Sequence, residues 1–445
     1  MPIPKRESTQ ILSALAAGVV PRVGLSHVAV GRLPEIAALK QDLEAVGAGG
    51  AAMRFIVGRY GCGKSFLLHL VRTVAFDHKF VVADADFTPE RKLYATDGQA
   101  VGIYRELMKN LSTKTMPTGN ALPAILERWI SDVQATLATT GQAPEPQAVE
   151  SKIVETANAM HELVHGYDFG VVLRSYYRGY LEGKEELKRE ALRWLRGEFS
   201  TKTEAREKLG VRVIVDDDNY YDYLKVMGRF VHDIGYAGLL VNLDEGVNLY
   251  KITHANSRSR NYEKVLSILN DCLQGGASHL GFLMSGTPEF LEDTRRGLYS
   301  YEALRSRLSS NRFEKEGMRD LSGPVVRLTT LTNEEVFVLL TKIRDVHVQH
   351  HGTPKPLEDA ALQRFMELSL QRLGAKEFQT PRDVVRDFVN LLNLLQQYPD
   401  KKWEDLLGQV PPAAPPTSSE ASPAPPEEPA IPAADPMERF KNFQV

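Results

Sequence analysis

Eight residues constrain this chain more than any others. Gly58-Arg-Tyr-Gly-Cys-Gly-Lys64-Ser65 matches G-x-x-x-x-G-K-[ST], preceded by the apolar run Phe55-Ile-Val57 and followed by a helical pattern from Ser65 to Ala75. Glycines at these spacings turn backbone N–H groups inward around phosphate oxygens, and the helix behind them adds the positive end of its dipole. Lys64 then neutralises the terminal phosphates and the Ser65 hydroxyl serves a magnesium ion. The whole loop, Gly58, Arg59, Tyr60, Gly61, Cys62, Gly63, Lys64 and Ser65 with Phe66 behind it, is therefore the candidate nucleotide cradle. No N-K-x-D segment accompanies it, which favours ATP over GTP.

A phosphate loop of this kind needs a parallel sheet behind it, and the sequence supplies one. Short apolar runs at Phe80–Ala83, Gly238–Asp244, Leu280–Ser285 and Pro324–Leu328 join Phe55–Gly58 as candidate strands. Runs of this length joined by helical crossovers predict an α/β fold with helices on both faces. The stretch between the second and third strands far exceeds one crossover. Its periodicity at Ala121–Leu137, Ser151–His165 and Lys184–Leu195 predicts a helical insertion over about residues 90–230, with a loop at 139–146. The pattern from Thr332 to Leu407 is wholly helical, so the expected units are a P-loop domain over 1–330 and a helical lid over 331–408.

A composition break follows. Residues 411–436 hold 10 of the 25 prolines and four acids with no basic residue, which predicts an extended, solvated linker. Beyond it, Phe440 and Phe443 stand at helical spacing, a short motif suited to recruiting a partner or else a frayed terminus. The formal charge of −3 excludes a polycationic DNA coat. Two cysteines, Cys62 and Cys272, exclude a disulfide framework and point to a reducing compartment. No apolar run approaches the ~18 residues needed to span a bilayer, and the N-terminus lacks a signal core, so a cytoplasmic protein without membrane contact is expected.

Leu239-Leu-Val-Asn-Leu-Asp244-Glu245 has the form of a Walker B strand. Asp244 would complete the magnesium shell, and Glu245 would orient the attacking water. Asn242 has no evident role inside so apolar a strand. His161-Glu-Leu-Val-His165 fits the zinc-protease pattern H-E-x-x-H. Gly166 should stop that helix at once and no third ligand stands out, so coincidence is preferred. Asp216-Asp-Asp-Asn219 reads as caps for the helix carrying Tyr220 to Phe230. The mixed-sign run Lys184–Lys208 reads as a solvated helix face, with DNA contact the lesser alternative.

Further segments resemble AAA+ ATPases. Val30-Gly31-Arg32-Leu-Pro-Glu35 is similar to the segment those proteins place near adenine. The resemblance implies a sensor-1 role for Ser285 or Thr287, an arginine finger at Arg305 or Arg307 reaching a neighbour's nucleotide, and a sensor-2 role for Arg382. An arginine finger implies a homo-oligomer. A narrower resemblance lies in Ala191-Leu-Arg-Trp-Leu-Arg-Gly-Glu198, Asp216–Tyr221, Leu243-Asp-Glu-Gly-Val-Asn-Leu-Tyr250 and Arg295–Arg307. These resemble the ATP-binding proteins of bacteriophage-exclusion (BREX) systems, in particular the short BrxD type, over roughly residues 8–400. That likeness implies a role in phage defence; with the motifs above, the expected activity is an ATPase that assembles on double-stranded DNA, the alternative being a nucleotide-state switch or scaffold that recruits an effector. The proline-rich tail lies outside the likeness; the expected partners reached through it are other defence-system proteins, such as a helicase.

Overall fold

The computed structural model describes residues 2–95, 98–139, 146–160, 163–314, 319–353, 357–371 and 380–408. The proline-rich tail, with Phe440 and Phe443, and most of the 139–146 loop lie outside them.

Five strands form one parallel sheet: β1 (Ala51–Val57), β2 (Val81–Asp86), β3 (Leu239–Asp244), β4 (Leu280–Gly286) and β5 (Val325–Arg327), in the order β2-β3-β4-β1-β5. The apolar runs become strands because both sheet faces are covered, so every other position has a core to enter. On β1, Phe55 and Val57 pack into one core while Ile56 enters the opposite one. Two helices, α2 (Leu33–Gly47) and α3 (Lys64–Asp77), cover the Ile56 face, after the N-terminal α1 (Lys5–Ala16).

The other face carries the long insertion between β2 and β3. It comprises α4 (Gln99–Lys109), α5 (Leu122–Thr139), α6 (Pro146–Ala159), α7 (Gly166–Glu182), α8 (Glu185–Leu195), α9 (Lys202–Leu209) and α10 (Tyr220–Asp233). Its buried aromatics Trp129, Phe169, Tyr176 and Trp194 share one continuous core with Phe55, Val241 and Phe282 of the sheet. Beyond β3 come α11 (Val247–Tyr250) and α12 (Ala255–Gln274), then after β4 α13 (Pro288–Glu292) and α14 (Glu302–Leu308).

Past β5 the chain is helical: α15 (Asn333–His351), α16 (Asp359–Gln371), α17 (Pro381–Gln397) and α18 (Trp403–Gly408). Thr332 opens α15 with a capping box to Glu335, and Thr380 opens α17 with one to Asp383. The N-terminal α1 packs on these helices, its Ile11 and Leu12 buried with Leu340, Ile343, Phe388 and Leu392.

Two local expectations change. The helix read as Ser151–His165 ends at Ala159, and Gly166 begins α7 rather than stopping a helix. His165 sits before it in the left-handed region at φ 65°. The acids at 216–219 serve two elements. Asp216 and Asn219 close their own turn, but Asp217 accepts the amides of Gly98 and Val101 at 2.7 Å each and so caps α4 across the fold. Among the described residues no helix is long and apolar enough to cross a membrane.

Candidate functional site

The parallel register brings the ends of β1, β3 and β4 to one edge, the place where open α/β sheets bind ligands. Val57 stands beside Gly286, and Asp86 beside Asp244. From Val57 the chain enters the loop through Gly58, where a Cβ would come within 2.4 Å of Cys62 Sγ. Gly61 and Gly63 take φ values of +75° and +95°, open to glycine at no steric cost. Lys64 Nζ donates to the carbonyls of Gly58 at 2.8 Å and Arg59 at 3.0 Å and lies over the Tyr60 ring. The loop thus folds around a cation held by its own carbonyls, with α3 starting at that lysine.

Asp244 gathers the hydroxyl groups. Ser65 Oγ donates to its Oδ2 at 2.6 Å, Ser285 Oγ to its Oδ1, and the Glu245 amide also to Oδ1 at 2.7 Å. Glu245 turns the chain at φ 58°, and Gly246 then donates to the Ser285 carbonyl at 2.9 Å. A Cβ on Gly246 would lie 2.5 Å from that oxygen, so only glycine passes here. Burial pushes the Glu245 carboxyl up, Asp244 adds to the rise, and Lys64 opposes it. Asp86 is raised in the same way, by burial and then by Asp244, against Arg91. Negative charge concentrated at a sheet edge, beside a serine hydroxyl and a lysine, suits a magnesium ion shared with phosphates.

One cavity opens beside the loop. Tyr60 to Phe66 line one side with Glu245; Leu15, Val19, Val20 and Val28 from the N-terminal segment line another; Leu339, Arg382 and Val385 come from the C-terminal helices. A polar loop thus faces an apolar recess, the combination a nucleotide with a flat base requires. Gly61 lets α17 approach, since a Cβ there would sit 2.3 Å from Thr380 Cβ.

The remaining candidates fall in different places. Arg32 is buried, and its Nη2 donates to the carbonyls of Cys62 at 2.9 Å and Thr329 at 2.7 Å, so it braces the loop while also lining the cavity. Gly31 stands at φ 63° against Glu335. Cys62 is buried, and burial raises its thiol, which leaves little reactive thiolate. Thr287 caps α13 through the Phe290 amide, whereas Ser285 reaches Asp244. Arg305 and Arg307 are exposed on α14 and do not line the cavity; Arg307 donates to Ala303 in its own helix. Of the H-E-x-x-H pattern, His161 and Glu162 lie outside the described residues and His165 stacks on Tyr223. Among the described residues no three metal-ligating side chains converge.

Asn242 gains a role that the sequence did not suggest. Its amide donates to Asp84 at 2.8 Å across the β2–β3 register, and Asp84 pairs with the buried Arg72 at 3.1 Å. Asp86 was also missed; two acids spaced by two in an apolar strand were the available signal.

No curated protein matches the chain. The family model described as BREX system ATP-binding protein BrxC/D matches residues 3–410. That match covers most of the chain, which therefore belongs to the BrxC/D family of BREX ATP-binding proteins.

Proposed function

We propose that this protein is a magnesium-dependent ATPase of the AAA+ type, close to the short BrxD members. Its turnover drives assembly on double-stranded DNA during phage defence in the cytoplasm. The observation that carries the reading is the meeting of Ser65, Ser285 and Glu245 on Asp244, beside Lys64.

Ser65 and Asp244 would hold the magnesium ion, which supplies charge neutralisation for the departing phosphates. Lys64 adds positive charge to the same end of the cavity. Glu245, ionised, orients a water and takes its proton. Ser285 fixes the Asp244 carboxylate in one orientation. Arg382 lines the cavity from α17, which supports a sensor-2 role. The exposure of Arg305 and Arg307 supports action on a neighbouring subunit of a homo-oligomer.

The test is ATP turnover with and without double-stranded DNA. Glu245→Gln should keep ATP binding while turnover falls at least ~100-fold, the loss expected of a general base. Lys64→Ala should lose both, and DNA should stimulate the wild type. Near-normal turnover in Glu245→Gln would remove Glu245 from its role. Tight ATP binding with turnover indifferent to DNA would instead mark a nucleotide-state switch that recruits an effector such as a helicase through residues 437–445.

A further inference from the structure

Two stretches of this chain are rich in basic residues, and the structure separates them. In the run 184–208, Lys184 sits 2.6 Å from Glu182, Lys188 3.3 Å from Glu185, Arg193 2.6 Å from Glu190 and Lys208 3.1 Å from Glu186. Much of that charge is cancelled pair by pair, leaving an ordinary solvated face.

The turn after α11 and the start of α12 behave differently. Arg258 Nη1 donates to the Ile252 carbonyl at 2.7 Å, and Arg296 Nη2 reaches the same oxygen at 3.4 Å. Two guanidinium groups therefore share one neutral acceptor. The Nε of Arg296 is buried with no hydrogen-bond partner. Arg260 donates to the Tyr94 hydroxyl at 2.6 Å and lies over that ring at 5.2 Å. Lys251 and Arg295 adjoin this group in sequence, both exposed.

Among the described residues none of these five cations forms a salt bridge. The nearest acid in sequence to the two arginines of the 295–296 turn is Asp293. Its carboxylate is occupied by the amides of Arg295 and Arg296 and by the Tyr250 hydroxyl. Glu263, one turn beyond Arg260, is exposed and forms no salt bridge with it. The twenty-residue α12 points its N-terminus into the group and carries no acid in its first turn. The Asp293 carboxylate, which also lies near the Arg295 charge, offsets part of this positive charge, and the remaining like charges cost free energy unless an anion joins them.

We propose that Lys251, Arg258, Arg260, Arg295 and Arg296 form a surface that binds the phosphate backbone of duplex DNA. The proposal rests on the DNA-linked reading above and gives it a place. Arg260 already occupies a face of the Tyr94 ring, which favours phosphate contact over base stacking and hence binding without sequence preference. The surface adjoins the hydrolytic centre through the four residues of α11.

The experiment uses the full chain with ATP and a fluorescein-labelled 30-base-pair duplex, read by anisotropy across a salt series. Arg260→Gln/Arg295→Gln is the test variant, because both side chains are exposed and neither holds a backbone carbonyl. Loss of two phosphate contacts should weaken binding and lower the slope of log K against log salt by about 1.8, at ~0.9 per contact. Arg260→Lys/Arg295→Lys should restore most of the slope, since a phosphate needs the charge more than the fork. Lys202→Gln/Arg206→Gln on α9 should change nothing. An unchanged slope in the glutamine variant, with the wild type binding DNA, would overturn the surface and leave the DNA-linked reading intact. Absence of wild-type binding would end both. Displacement by poly-glutamate at equal charge concentration would overturn the DNA assignment in favour of an acidic protein.

Discussion

Glu245 carries two burdens that a surface glutamate does not. Its backbone sits at φ 58°, and its carboxyl is partly desolvated beside Asp244. Both raise the free energy of the folded, ionised form; Lys64 offsets part of the electrostatic share. The consequence for pH follows from proton counting. A carboxyl whose folded pKa lies above the ordinary value of 4.5 binds more protons folded than unfolded between the two values. Stability contributed by the protonated form is therefore present below 4.5 and lost as pH rises through the folded value. Glu245→Gln keeps the shape and removes the charge. In the nucleotide-free protein it should melt higher than wild type at neutral pH, with the gap closing as pH falls below the ordinary glutamate value. Thermal melts of both proteins across pH check this, and equal melting temperatures at neutral pH would refute it. Residues of this kind can be proposed from the string alone, because phosphate chemistry fixes their spacing: the motifs point to Lys64, Ser65, Asp244 and Glu245, and the structure brings these four together at one sheet edge. The partners of Asn242 and of Arg32 could not be proposed in this way, because Asp84 and the Thr329 carbonyl are set by strand register and by a segment almost three hundred residues away.

At the level of elements, the five strands could be read because each is a short apolar run with glycine or polar residues at its ends. Their order could not, since each run is apolar on both faces and carries no sign of its neighbour. The same limit explains the helix misread at Gly166. Glycine near a helical pattern signals a stop, yet here the chain turns at His165 and α7 begins with Gly166 buried in the core. Contacts between elements, rather than within them, decide how close the C-terminal helices come to the loop. Gly61 is the point of contact: φ +75°, with Thr380 where a side chain would be. Gly61→Ala would strain the backbone and drive α17 away from the cavity wall that Arg382 and Val385 complete. The expected result is ATP affinity reduced at least tenfold in calorimetric titration, the scale of the ~1–3 kcal/mol that overpacking costs. Retained wild-type affinity would show that α17 does not form the site. Gly98, with nothing near its Cβ position, is the matching control.

Across the described molecule, the N-terminal helix α1 and the helices α15 and α17, far apart in sequence, share one core. Helix α1 packs with α15 and α17, so the cavity is walled by the first thirty residues, the phosphate loop and the C-terminal helices together. Nothing in the periodicity of residues 5–16 announces this partner; an amphipathic helix shows that it needs an apolar surface and not which one. Ile11 tests the arrangement. It is fully buried against Leu340 and its neighbours, its Cδ1 would lie 2.7 Å from a Cβ on Gly24, and it does not line the cavity. Ile11→Ala should cost about 2–5 kcal/mol of local stability, as truncation of a buried aliphatic side chain does. It should also loosen the wall formed by Leu15, Val19 and Val20. Ligand bound only to the folded form stabilises by mass action, about 2.7 kcal/mol at a hundredfold excess over Kd. Weaker binding therefore appears as a smaller rise in Tm at a given ATP concentration. Lys64→Ala should abolish that rise with little change in the nucleotide-free Tm, because its loss is confined to the loop. Ile11→Ala should lower the nucleotide-free Tm and shrink the rise as well. If Ile11→Ala keeps the full ATP-dependent rise, α1 supports the C-terminal helices alone, and the nucleotide site closes without it.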